Sequence, residues 1–283
     1  MTQRQNKTIE QEFDKITRLL KNRENFAFVR YGDGEISAIS NESFTCNQWQ
    51  LTAGNSFTEA LKEGLITLEG YYVGIPCGCM EKKDGFRAYL RKHHPIDPQW
   101  ETFASLFCNA LHPRTISQVL PLIKSYEIVI TANEHIDLSY MEKQGFNVVK
   151  HVPITMNAWK DYKKIQSELM HYVRKNKPHG KLFLFCAGPV SNTIIHHLYK
   201  ENANNIYLDM GSAIDKQLGL QNPDRCHYQW TSWKQLAKCY WEYKDNPLTI
   251  SCDSHSKTKL ERSILRLKAI CHRLAGRFTQ YIY

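Results

Sequence analysis

Two acidic side chains stand one residue apart in Arg30-Tyr-Gly-Asp-Gly-Glu35, with glycines on either side of Asp33. Carboxylates spaced this way on a tight turn can share a hard divalent cation, or divide between metal and hydroxyl ligation. The competing reading is plain: Asp33 caps a following helix and Glu35 lies in its first turn. A second constellation, Cys186-Ala-Gly-Pro-Val-Ser-Asn-Thr-Ile195, pairs a glycine with a proline suited to a helix start. The start of a helix attracts anions through its N–H groups and macrodipole, so this turn can cradle a diphosphate. Gly188, Pro189, Ser191, Asn192 and Thr193 are its candidate donors, against the alternative of an ordinary strand-to-helix turn. The third is Leu208-Asp-Met-Gly-Ser-Ala-Ile-Asp215, in which Asp209 and Asp215 flank a glycine turn. Either can serve as general base or sugar-hydroxyl acceptor, or simply form the turn.

These segments need elements to position them. Apolar residues spaced by three and four predict helices over 8–22, 84–92, 99–111, 135–144, 156–175 and 190–202. Short apolar runs predict strands over 26–30, 71–75, 127–131, 146–150, 181–186 and 205–209. Strands alternating with helices imply crossovers, and hence an α/β fold with a mostly parallel sheet covered on both faces. Ligands in such sheets bind beyond the carboxyl ends of the strands, which is where all three constellations fall.

The ordered set Phe28-Val-Arg-Tyr-Gly-Asp-Gly-Glu35, Val73-Gly-Ile-Pro76, Asn157-Ala-Trp159, Phe185-Cys-Ala-Gly-Pro189 and Tyr207-Leu-Asp-Met-Gly211 with Asp215 resembles the GT-D-fold glycosyltransferases over about residues 8 to 216. That resemblance implies a Rossmann-like fold and a D-x-E motif, here Asp33-Gly34-Glu35, holding Mn2+ or Mg2+ on a UDP-sugar. It also implies a part in polysaccharide or glycoprotein assembly. Arg30, Gly32, Gly34 and Trp159 then join the Gly188–Thr193 turn as donor-binding candidates, with Asp215 first and Asp209 second as the base. Tyr31, Cys186, Ala187 and the step Ser212-Ala213 depart from the family's usual residues. Two other readings stay open: a metal-dependent phosphoryl-transfer or phosphodiester enzyme using the same acids, and a non-catalytic nucleotide- or RNA-binding protein.

Composition bounds the rest. A chain of 283 residues with 42% hydrophobic composition suits one catalytic domain, expected over 1–220, with an extension over 221–283 packed on it. The net charge is +9, of which the segment 257–277 carries seven Lys/Arg against Glu261 alone. The body is nearly balanced, so no nucleic-acid surface is expected. Leu260, Ile264, Leu267, Cys271, Leu274 and Phe278 instead form an apolar stripe over 257–278, suited to packing on protein or to contact with an anionic membrane carrying lipid-linked acceptors. Nine scattered cysteines without a C-x-x-C pair predict reduced thiols, and Cys77-Gly78-Cys79 lacks zinc-like partners. With no apolar leader and no long apolar run, the expected location is the cytoplasm, with membrane association on its cytosolic face as the variant. Trp49, Tyr71, Tyr72, Trp100 and Trp159 are candidate stacking platforms that can equally be core. The pairs His93-His94 and His196-His197 read as surface residues, because neighbours on a helix point in different directions.

Overall fold

The computed structural model describes residues 9–40, 44–46, 49–51, 56–76, 89–90, 92–108, 111–155 and 157–220, apart from a few side chains among them. Helix α1 (Ile9–Lys21) opens this region, burying Ile9, Phe13, Ile16 and Leu20 along one stripe, and leads into β1 (Phe26–Arg30). There follow α2 (Asp33–Ile39), a small antiparallel ribbon of β2 (Phe44–Cys46) and β3 (Trp49–Leu51), and α3 (Ser56–Glu63). Next come β4 (Tyr71–Ile75) and β5 (Glu101–Phe103), then a helical run α4 made of His112–Arg114, a π-helical turn Thr115–Val119 and Leu120–Lys124. The rest is regular alternation: β6 (Glu127–Asn133), α5 (Leu138–Lys143), β7 (Asn147–Ile154), α6 (Tyr162–Asn176), β8 (Leu182–Phe185), α7 (Val190–Glu201) and β9 (Ile206–Asp209).

Seven strands form one sheet in the order β5-β4-β1-β9-β8-β6-β7, and every pairing in it is parallel. Strand β1 lies between β4 and β9, so the first and last strands of the described region are neighbours. Alternate residues feed two cores. Ala27 and Val29 join Phe183, Phe185 and Tyr207 beneath α6 and α7, while Phe26 and Phe28 join Leu184 and Leu208 beneath α1 and α4. Burial on both faces is why β1 and β8 read as continuous apolar runs rather than alternating ones.

Two stretches depart most from what the sequence predicts. Residues 99–111, expected as helix, contain β5 and then turns. The apolar spacing there reflects an edge strand on β4 whose three residues are too few to show period two. The helical run 112–124 went unpredicted because Pro113 and Pro121 look like breakers. Pro113 sits in the first turn, where the missing N–H would have had no partner anyway, whereas Pro121 falls in mid-run just past the π-helical turn. Helix 84–92 falls mostly outside the described residues, as do the 257–278 segment, Trp49's side chain and the Cys77-Gly78-Cys79 step. Tyr71 and Tyr72 are buried core, and Trp100 packs edge-on against Tyr72 at 5.2 Å. Cys108 and Cys186 are free thiols. No described helix is long and apolar enough to cross a membrane.

Candidate functional site

At the carboxyl end of β1 the chain turns directly into α2, with Gly32 as its cap and Asp33, Gly34 and Glu35 as its first three helical residues. Asp33 therefore begins the helix rather than capping it. The Glu35 carboxylate reaches back to accept the Gly32 N–H at 2.8 Å, so part of the capping role falls to Glu35. Half-buried, it titrates far from an ordinary glutamate: burial pushes it up to about 7 against the opposing pull of local N–H groups and Arg30, and Asp209 adds to the rise.

Asp209 ends β9, the strand beside β1, and is 3% exposed. Burial raises its pKa to about 6, opposed first by Arg30, then by the Gly211 N–H and the Ser191 hydroxyl. The Gly211 N–H donates to Asp209 Oδ1 at 2.9 Å, and Arg30 Nε stands 3.9 Å from Oδ2. Arg30 also donates to the Met210 carbonyl at 3.4 Å, laying its guanidinium over Gly211. A Cβ on Gly211 would sit 2.7 Å from Arg30 Nη2, and φ is +51° there, so glycine is required on both counts.

The turn after β8 closes the third side. Gly188 has φ +56° with open space where a side chain would be, and Pro189 caps α7, one position earlier than its sequence suggests. Ser191, Asn192 and Thr193 are fully buried. The Ser191 and Asn192 N–H groups donate to the Gly188 and Pro189 carbonyls, and the Thr193 hydroxyl donates to Val190 O. Asn192 Nδ2 donates to the Arg30 carbonyl at 2.6 Å, tying the turn to β1, while its buried Oδ1 lacks a hydrogen-bond partner among the described residues. Asp215 is half-buried in the turns after Gly211 and, with Asp209, helps keep the Cys186 thiol protonated after burial has already raised its pKa. The turn is held from α4 by His112, whose Nε2 lies 2.8 Å from Ala213 O.

Arg30, Glu35, Asp209 and Asn192 thus meet at one place, with Gly188, Gly211 and Asp215 around them. Trp159 packs against α3. Its short 3-10 turn Ala158–Lys160 follows β7 at the sheet's edge, and the ring packs on Phe57 at 6.3 Å beside a cavity of about 330 Å³ rimmed by Lys160, Lys163 and Lys164. Sequence reasoning missed the parts played by Tyr31 and His112. Tyr31 is fully buried and donates to the Leu61 carbonyl at 2.9 Å, anchoring the start of α2 to α3, and no spacing rule signals such a bond.

A family profile for the GT-D-like group, described as a GT-D fold-like domain, matches residues 7–217. The chain belongs to the GT-D-like family. Two of the solved structures similar to it follow. One, described as a selenomethionine-substituted domain of unknown function 1792, shares 14% identity at a TM-score of 0.53, covering 74% of this chain and 81% of that one. The other, described as a new glycosyltransferase with domain of unknown function 1792 from Streptococcus sanguinis, shares 12% identity at a TM-score of 0.50, covering 74% and 85%. No curated protein sequence matches. This GT-D-like chain therefore has the glycosyltransferase fold of the GT-D type, with its buried carboxyls at the mouth of the sheet.

Proposed function

We propose that the chain is a metal-dependent glycosyltransferase, moving a sugar from a nucleotide donor, UDP foremost, to a hydroxyl of a glycan, glycoprotein or lipid-linked acceptor. One observation carries this reading: in a chain of the GT-D-like family, Glu35 and Asp209 meet at the carboxyl ends of adjacent strands with Arg30 beside them. The Glu35 carboxylate and the orphaned Asn192 Oδ1 nearby offer hard oxygen donors of the kind that Mn2+ or Mg2+ takes. Asp33 and Glu35 would hold the cation. Bound there, it would act as a Lewis acid toward the charge that grows on the departing nucleoside diphosphate.

The chain's own groups do the remaining work. Arg30 keeps Asp209 oriented and can neutralise a phosphate oxygen. The turn at Gly188 leaves room for the diphosphate beside the positive end of the α7 dipole. Asp215 takes the acceptor hydroxyl's proton if the anomeric centre inverts, and Asp209, already engaged by Gly211 and Arg30, is the second choice.

The test is a thermal-shift screen of UDP-, GDP- and dTDP-sugars with and without manganese, since a ligand bound only by the native state raises stability by mass action. A rise that needs both a UDP-sugar and manganese is expected, followed by sugar transfer that Asp33→Ala abolishes. Transfer by Asp33→Ala at saturating manganese would overturn the metal assignment. Cleavage of phosphate bonds without any sugar acceptor would favour a phosphodiesterase instead.

A further inference from the structure

Glu63 ends α3, and His196 and His197 lie in the second turn of α7, the helix packed against it. The two imidazole rings, which helical geometry would spread apart, lie 3.9 Å from centroid to centroid. Both turn toward the same oxygen, with Glu63 Oε2 standing 3.9 Å from His196 Nε2 and 3.6 Å from His197 Nε2. Adjacent histidines thus share a target after all, because each long side chain swings round toward the neighbouring helix. The reading of His196-His197 as a surface pair is corrected: His196 is 1% exposed.

We propose that Glu63, His196 and His197 form a site for a borderline first-row divalent cation, zinc by preference, that clamps the end of α3 to α7. One ligand atom from each residue lies within 4.8 Å of the others. A tetrahedral zinc with arms of about 2.0–2.1 Å sets its ligands roughly 3.3–3.4 Å apart, so two of the three separations need to shrink by only a few tenths of an ångström. The donor set, two imidazoles and one carboxylate, matches a recurring zinc pattern that leaves a fourth position to water.

Three further features point the same way. His196 Nδ1 lies 3.1 Å from the Asn192 carbonyl, an acceptor that fixes the proton on Nδ1 and aims the Nε2 lone pair at Glu63. A backbone carbonyl behind a ligating imidazole is the usual second layer of a zinc site. Next to Glu63, Gly64 lets α3 press against α7, since a Cβ there would stand 2.7 Å from the Asn192 carbonyl and 2.5 Å from the Tyr31 hydroxyl. Glu63, with its side chain 60% exposed, and His197 leave a path for the ion.

This site is separate from the acids at the mouth of the sheet and does not depend on sugar transfer. Its residues back the helix whose Asn192 amide holds the Arg30 carbonyl, so the clamp steadies the frame behind the site. The experiment titrates zinc, then cobalt, into the metal-free full chain and into Glu63→Gln and His197→Ala, following thermal stability and the visible cobalt spectrum. At zinc about 100-fold above its dissociation constant, the native protein should gain about 5–10 °C, with one ion bound per chain. Each variant should bind at least about tenfold more weakly. Cobalt should give a tetrahedral ligand-field spectrum without thiolate charge-transfer bands. Absence of a zinc-dependent rise, an equal rise in Glu63→Gln, or a thiolate signature from the cysteines would each overturn the proposal. Glu63 is exposed, so its variant keeps the test open even if His197→Ala folds poorly.

Discussion

One guanidinium faces two carboxyls at the centre of the sheet, so Arg30 is needed most when those acids are ionised. Removing it at pH 8 leaves Asp209 buried with its charge uncompensated, and Arg30→Ala should lose about 3 kcal/mol in urea denaturation. At pH 5, below the pKa of about 6 for Asp209, the acid takes a proton and the loss should shrink. The titration of Glu35 would also govern the proposed cation. Burial raises Glu35, one of its proposed ligands, to about 7, so at low pH it holds a proton that a cation there would have to displace. Manganese affinity should therefore climb as pH rises from 5 to 8, and Glu35→Gln should flatten the climb near 7; calorimetry at several pH values checks both. The sequence shows the acidic residues but not their protonation, since no spacing reveals that β9 lies against β1 and puts Asp209 into the neighbourhood of Glu35.

At the scale of elements, β1, α7 and β9 bring the chemistry together through their ends. The turn after β9 is the most demanding, because Gly211 must take a left-handed conformation under the Arg30 side chain. Gly211→Ala should cost about 1–3 kcal/mol of stability, seen as a lowered melting temperature, and should displace Arg30 enough to weaken donor binding. Much of the framework was legible in the chain: β1 has its predicted bounds, and α1 differs by a residue at each end. Elements whose patterns are brief or broken were not. Strand β5 is three residues long, α4 is interrupted by two prolines, and α3 has only eight residues. The histidine pair was misread for a related reason, since helical angles say where Cβ atoms point and not where an imidazole ends.

For the whole molecule, family membership covers residues 7–217, and the remainder carries most of the net positive charge. From its sequence, a tail with six of the nine net charges and apolar residues spaced by three and four is proposed to contact an anionic bilayer, with packing on protein as the other reading. Co-sedimentation with phosphatidylserine vesicles should retain the full chain and lose a version ending at Asn246; equal partitioning by the two would dismiss that role. The sheet order has a different consequence, in time rather than space. Strand β1 emerges early from the ribosome, yet one of its two partners, β9, lies 180 residues further along. At about 5–20 residues per second that is roughly 10 to 35 seconds of waiting. Throughout it, one edge of Phe26–Arg30 is open to wrong neighbours, and nascent chains released before Ile206 should aggregate or call on chaperones where the finished one does not.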